Sequence, residues 1–79
     1  MEFLKVVFPG AARVVLVNGN PGGYTNTIMS FQLPGTYLIS LEPPNDFVPP
    51  VMQIPLAHTN PFAPMKITFN PLPPGALLP

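Results

Sequence analysis

Apolar and polar residues alternate in short runs along this chain, with the period of two that belongs to a strand rather than the 3.6 of a helix. In residues 3–8 (FLKVVF), Phe3, Lys5 and Val7 fall on one face and Leu4, Val6 and Phe8 on the other, which reads as the buried face. Pro9 and Gly10 stop that run. Residues 13–17 (RVVLV) form a β-branched strand ended by Asn18-Gly19, the strongest short turn signal in the chain, so a hairpin or tight loop follows. Residues 18–23 (NGNPGG) demand positive φ and offer few side chains to pack, and they read as a flexible rim. Residues 24–31 (YTNTIMSF) alternate imperfectly and read as one strand.

Leu33-Pro34-Gly35-Thr36 places proline second and glycine third, the arrangement of a type II turn. The strand after it, residues 37–42 (YLISLE), sets Tyr37, Ile39 and Leu41 against Leu38, Ser40 and Glu42, the pattern of a half-solvated antiparallel strand. Pro43-Pro44-Asn45-Asp46 ends it. Residues 47–56 carry Pro49, Pro50 and Pro55; proline cannot donate to a ladder, so this run is an edge strand or an extended connection, with residues 51–54 as the part that pairs. After a loop at residues 57–64 (AHTNPFAP), residues 65–69 (MKITF) alternate again as the last strand. No window joins helical spacing to a cap, and proline interrupts almost every stretch long enough to test. The pattern predicts an all-β fold, a small antiparallel β-sandwich of about six or seven short strands with essentially no helix. It predicts one domain over residues 1–69 and a proline-rich tail over residues 70–79 (NPLPPGALLP), extended or frayed.

Pro9-Gly10-Ala11, the strand Arg13-Val14-Val15-Leu16-Val17 with its Asn18-Gly19, Gly23 and Thr25, Leu33-Pro34-Gly35, Tyr37 and Pro44 follow one another in the order typical of PEGA domains. The chain resembles that family from Phe8 to about Leu56; where the family often reads P-G-Y, this chain has Pro44-Asn45-Asp46-Phe47. The resemblance implies a compact antiparallel sandwich that sits as an accessory module beside other domains in bacterial surface or envelope proteins. It brings no catalytic residues to carry over.

Composition narrows the function classes. A chain of 79 residues has room for one domain and must bury nearly every large apolar strand side chain, which its 47% hydrophobic content makes feasible. The 14 prolines and 6 glycines approach the composition of a disordered segment, but only 8% of residues are charged and the apolar ones alternate, which favours order. Three basic and three acidic residues cancel, with no basic stripe to neutralise phosphates, so nucleic acid is not an expected partner. A net charge near zero also weakens repulsion, so an apolar patch finds a protein surface, its own or another's. The absence of cysteine removes disulfides, thiolate catalysis and thiolate zinc sites. No run approaches the roughly 18 apolar residues of a membrane span. Residues 1–8 lack a signal-peptide core, so the chain reads as having no export signal of its own. Its compartment is undecided, with the cell envelope or surface expected if it is a piece of a PEGA-type protein.

Candidate chemistry is sparse. His58 is the only histidine and has no carboxylate or second histidine near it in sequence, so it reads as a surface loop residue and not as a metal ligand or base. Glu2, Glu42 and Asp46 are the only acids and read as solvated edge charges. Ser30 and Ser40 lie in strands without a nucleophile elbow. Most of the eight aromatic residues stand on alternating strand faces and read as core, leaving Tyr24 and Phe62, at loops, as the pair expected to be exposed. Pro71-Leu72-Pro73-Pro74 could adopt polyproline II, although a linker is the ordinary reading.

The expectation is therefore a protein with no catalytic, cofactor or metal site: an interaction or structural module working through protein–protein contacts, with another protein or with itself. The edge problem motivates it, since so few charges blunt the outer strands. The residues expected to make contact are Val51 and Ile54 on the edge run and Tyr24 and Phe62 in the loops. The alternative is a module for carbohydrate or cell-wall polymer, with Tyr24 and Phe62 sharing one end of the sandwich.

Overall fold

Residues 1–72 are described, from a computed structural model. They form nine short strands and no helix: β1 (Glu2–Val7), β2 (Val14–Val17), β3 (Asn20–Tyr24), β4 (Ile28–Phe31), β5 (Gly35–Leu41), β6 (Phe47–Val48), β7 (Met52–Leu56), β8 (Met65–Thr68) and β9 (Asn70–Pro71). A three-stranded sheet in the order β4-β1-β8 packs against a four-stranded sheet in the order β3-β2-β5-β7, and β6 and β9 make a small third sheet. One core joins the two larger sheets: Leu4, Val6, Met29 and Ile67 from the first, Val15, Ile39, Leu41, Ile54 and Leu56 from the second, with Phe8, Phe47 and Phe69 closing one end. The alternation of β1 and β5 is as expected, with Leu4 and Val6, and Ile39 and Leu41, all buried.

Several elements depart from the pattern. Asn18 and Gly19 do form a two-residue turn with positive φ at both positions (51° and 85°), as a type I′ hairpin requires. The chain then returns at once as β3, pairing Val17 with Asn20 and Val14 with Tyr24 across an irregularity between Val15 and Leu16. The glycine run is thus an edge strand and not a loose rim. Its glycines make room: a Cβ on Gly22 would lie 2.6 Å from Val17 Cγ2, and one on Gly23 2.8 Å from Met29 Cγ.

The single strand expected over residues 24–31 is broken by a corner at residues 25–27, where the chain leaves one sheet for the other. Two residues hold this corner. Buried Thr25 accepts at Oγ1 from Arg13 N (2.9 Å), and Asn26, at φ 64°, accepts from Phe8 N at Oδ1 and donates from Nδ2 to Phe8 O (2.8 Å). Asparagine tolerates this left-handed conformation better than most residues.

Gly35 has φ 155°, far from the roughly +80° of a type II turn, and already pairs with Leu56 as the first residue of β5. The sheets are not wholly antiparallel, because β8 runs parallel to β1, with Leu4 opposite Met65. Topology explains this. β7 ends at Leu56, beside the start of β5, at the end of the molecule where β1 begins, so the strand entered from the following loop must run in the direction of β1. Pairing also reaches past residue 69: Val48 lies opposite Asn70, Phe47 opposite Pro71, and Leu72 N donates to Asp46 O. Residues 73–79 of the expected tail lie outside the described residues.

Candidate functional site

The three most exposed of the large apolar side chains share one end of the molecule. Phe62 is 98% exposed, Leu33 70% and Met1 68%, and all three lie at the end of the molecule where β1 begins. The registers place them together: Met1 precedes Glu2, which pairs with Phe31; Leu33 follows Phe31 by two residues; and Phe62 lies three residues before Met65, which pairs with Leu4. Leu33 is carried out of the core because a Leu-Pro-Gly corner cannot continue a strand's alternation.

The loop that carries Phe62 is braced. Asn60 Oδ1 accepts from Phe62 N (2.9 Å) and Ala63 N (2.8 Å), an Asx-type turn with Pro61 at its corner, and Ala63 N also donates to Asn60 O (3.1 Å). One step earlier Thr59 is clasped to β1: its N–H and its hydroxyl both donate to Glu2 Oε1 (3.0 and 2.6 Å), while its Oγ1 accepts from Phe3 N (2.7 Å). These bonds to Thr59 hold the Glu2 carboxyl below the usual carboxylate range, with the N-terminal charge and His58 adding smaller contributions. Glu2 is thereby a correction to the solvated charges expected from sequence, being only 8% exposed. The second loop at this end is tied by Tyr37, whose hydroxyl donates to Leu33 O (2.6 Å) and whose ring lies 4.7 Å from that of Phe31.

The opposite end carries an ion pair. Arg13 donates to both carboxylate oxygens of Asp46 (2.6 and 3.2 Å), and its guanidinium lies over the rings of Phe8 (5.0 Å) and Phe47 (5.9 Å). The hydrogen bond to Arg13 lowers the Asp46 pKa, and the same bond raises that of Arg13. Asp46, too, is a paired charge and not a free one.

The expected contact residues separate. Tyr24 and Phe62 are both exposed but stand at opposite ends of β1: Tyr24 adjoins the corner bonded to Phe8, and Phe62 adjoins the loop bonded to Glu2 and Phe3. A strand of that length spans roughly 17–20 Å, so the two rings share no platform. Val51 is exposed just before β7, whereas Ile54 points into the core with Leu56 while Gln53 and Pro55 point out, so Ile54 is a core residue and not an exposed one. His58 is exposed, with φ 60°. The sequence pattern does not single out Leu33 and Met1, which the fold leaves exposed. The usable signal for Leu33 was a large apolar residue placed directly before Pro-Gly.

Among the described residues no three of His, Asp and Glu gather as metal ligands, no concave pocket opens, and no helix is long and apolar enough to cross a membrane. No protein-family model matches this chain, nor does any curated protein or solved structure.

Proposed function

We propose that this protein is a non-catalytic module that docks onto another protein through the end carrying Phe62, Leu33 and Met1. The observation that carries this reading is an aromatic ring left 98% exposed on a turn whose backbone is fixed by Asn60 and by the Glu2–Thr59 clasp. With the backbone held before contact, only the side-chain torsions of Phe62 are left to order on binding, and aromatic anchors carry a large share of interface energy. The resemblance to PEGA domains, which serve as accessory modules, supports the same reading. A sugar platform would ask for two rings at one end, and Tyr24 and Phe62 stand apart, so protein contact is the reading preferred.

The test is site-specific photocross-linking in cells, with benzoylphenylalanine in place of Phe62 and, as control, in place of exposed Thr68 on β8. A discrete protein adduct from position 62 that position 68 does not give is the expected result. Absence of any adduct at 62, or the same adducts from both positions, overturns the reading.

A further inference from the structure

Among the described residues the two larger sheets have four edge strands, and three of them carry a feature that discourages further pairing. β3 has Pro21 and an irregular register against β2, β7 has Pro55, and β8 has the exposed charge of Lys66. The small third sheet is two residues deep and bounded by Pro49 and Pro71. β4 (IMSF) has no proline, no charge and no bulge, and Ile28 on its outer face is 52% exposed. Its unpaired N–H and C=O groups are a template for pairing with another chain.

The direction of the free backbone groups follows from the bonds already described. Asn26 N donates to Val6 O on the β4 side of β1, whereas Phe3 N and Val7 O bond on the β8 side, to Thr59 and Phe69 N. Even-numbered residues of β1 therefore serve β4, and in an antiparallel ladder their partners Met29 and Phe31 face β1 in return. Ile28 and Ser30, opposite Lys5 and Phe3, turn their N–H and C=O groups outward.

From this geometry we propose that β4 pairs with β4 of a second copy, antiparallel about a two-fold axis at Met29, so that Ile28 of each copy meets Ser30 of the other. Each copy offers two outward donors and two outward acceptors, and this register satisfies all of them, four hydrogen bonds in total, while extending the three-stranded sheet to six strands. Met29 continues the inner face in both copies, as the pleat demands. Charge permits the pairing: residues 28–32 hold no ionised group and the chain has no net charge. The nearest like charges, Lys5 of each copy, fall three strand spacings apart, about 14 Å or more, beyond the screening length of about 10 Å at 0.1 M salt. The contact is short, so the dimer is a weak one that forms with rising concentration. Phe62 precedes β8, on the other side of β1 from this edge, and the pairing does not depend on what Phe62 binds.

Light scattering on a size-exclusion column, from micromolar to millimolar protein, provides the test. The mass should rise from one copy of 8.5 kDa toward twice that value. Hydrogen exchange at the Ile28 and Ser30 amides should slow with concentration while the Met29 amide, already bonded to β1, does not change. Ser30→Pro removes an outward donor and no bond to β1, so it should stay folded by circular dichroism and remain monomeric. Ser30→Lys, which sets two like charges across the two-fold axis, gives the same readout if the proline variant fails to fold. Phe62→Ser should dimerise like the wild type. A wild type that is monomeric at every concentration, a dimer that survives both Ser30 variants, or one lost with Phe62→Ser instead would overturn the proposal.

Discussion

At the scale of single residues, a small polar side chain fixes the corner between β3 and β4. Asn26 combines a left-handed backbone with two side-chain bonds to Phe8. Asn26→Gly keeps the conformation and loses the bonds, whereas Asn26→Ala loses the bonds and strains the backbone as well. Each lost bond is worth about 0.5–1.5 kcal/mol, and the strain adds about 1 kcal/mol or more. Denaturant melts should therefore rank wild type above glycine and glycine above alanine; an alanine variant as stable as glycine would show that the corner does not depend on φ. Glu2 makes a prediction about pH. Its folded pKa is lowered by the bonds from Thr59, as that of Asp46 is by Arg13, so both contribute stability that is complete above the ordinary carboxylate range, about pH 4. That stability is lost as pH falls through the lowered folded values. The melting temperature should hold steady from neutrality down to that range and fall below it. Glu2→Gln should melt lower at neutral pH and show a shallower acid decline, measured by circular dichroism.

Among the elements, the strands legible in the sequence were those whose alternation is set by the core alone. β1, β5 and the start of β8 fall into this group, because Leu4, Val6, Ile39, Leu41 and Ile67 each face inward at every second position. What stayed hidden depended on partners distant in sequence. Residues 20–24 lack the side chains that mark a strand and become one because Val17 and Met29 fill the space their glycines leave. The parallel pairing of β8 with β1 follows from the end at which β7 stops, which no local pattern records. The burial of Glu2 depends on Thr59, 57 positions away. For the contact site, the exposure of Phe62 was legible because Asn-Pro-Phe-Ala cannot alternate into a core, but its separation from Tyr24 was not, since that rests on the registers of three strands. The glycines allow a direct check. Gly22→Ala presses a methyl group against Val17, a β-branched side chain with little freedom, while Gly23→Ala presses against Met29, which can bend away. Overpacking costs typically about 1–3 kcal/mol, and Gly22→Ala should be the more destabilising of the two in urea. The reverse order would show that β3 yields as a whole and not through its neighbours.

For the whole molecule, the ion pair and the three most exposed apolar side chains lie at opposite ends of β1. Arg13, Glu42 and Asp46 gather at the end closed by Phe8, Phe47 and Phe69, where the rings of Phe47 and Phe69 meet edge to face at 5.6 Å. The other end presents Phe62, Leu33 and Met1 beside a carboxylate already bound to Thr59. An apolar group in solvent contributes nothing to folding, so the ends should answer differently to truncation. Phe69→Ala removes a fully buried ring and should cost about 3–5 kcal/mol. Phe62→Ser should fall within about 0.5 kcal/mol of the wild type, the ordinary span of surface substitutions. Thermal melts of the two variants decide the point. If Phe62→Ser destabilises as much as Phe69→Ala, the ring belongs to the fold and the apolar end loses its claim to be a contact surface; if it leaves stability unchanged, folding does not account for this phenylalanine, and a role in contact gains support.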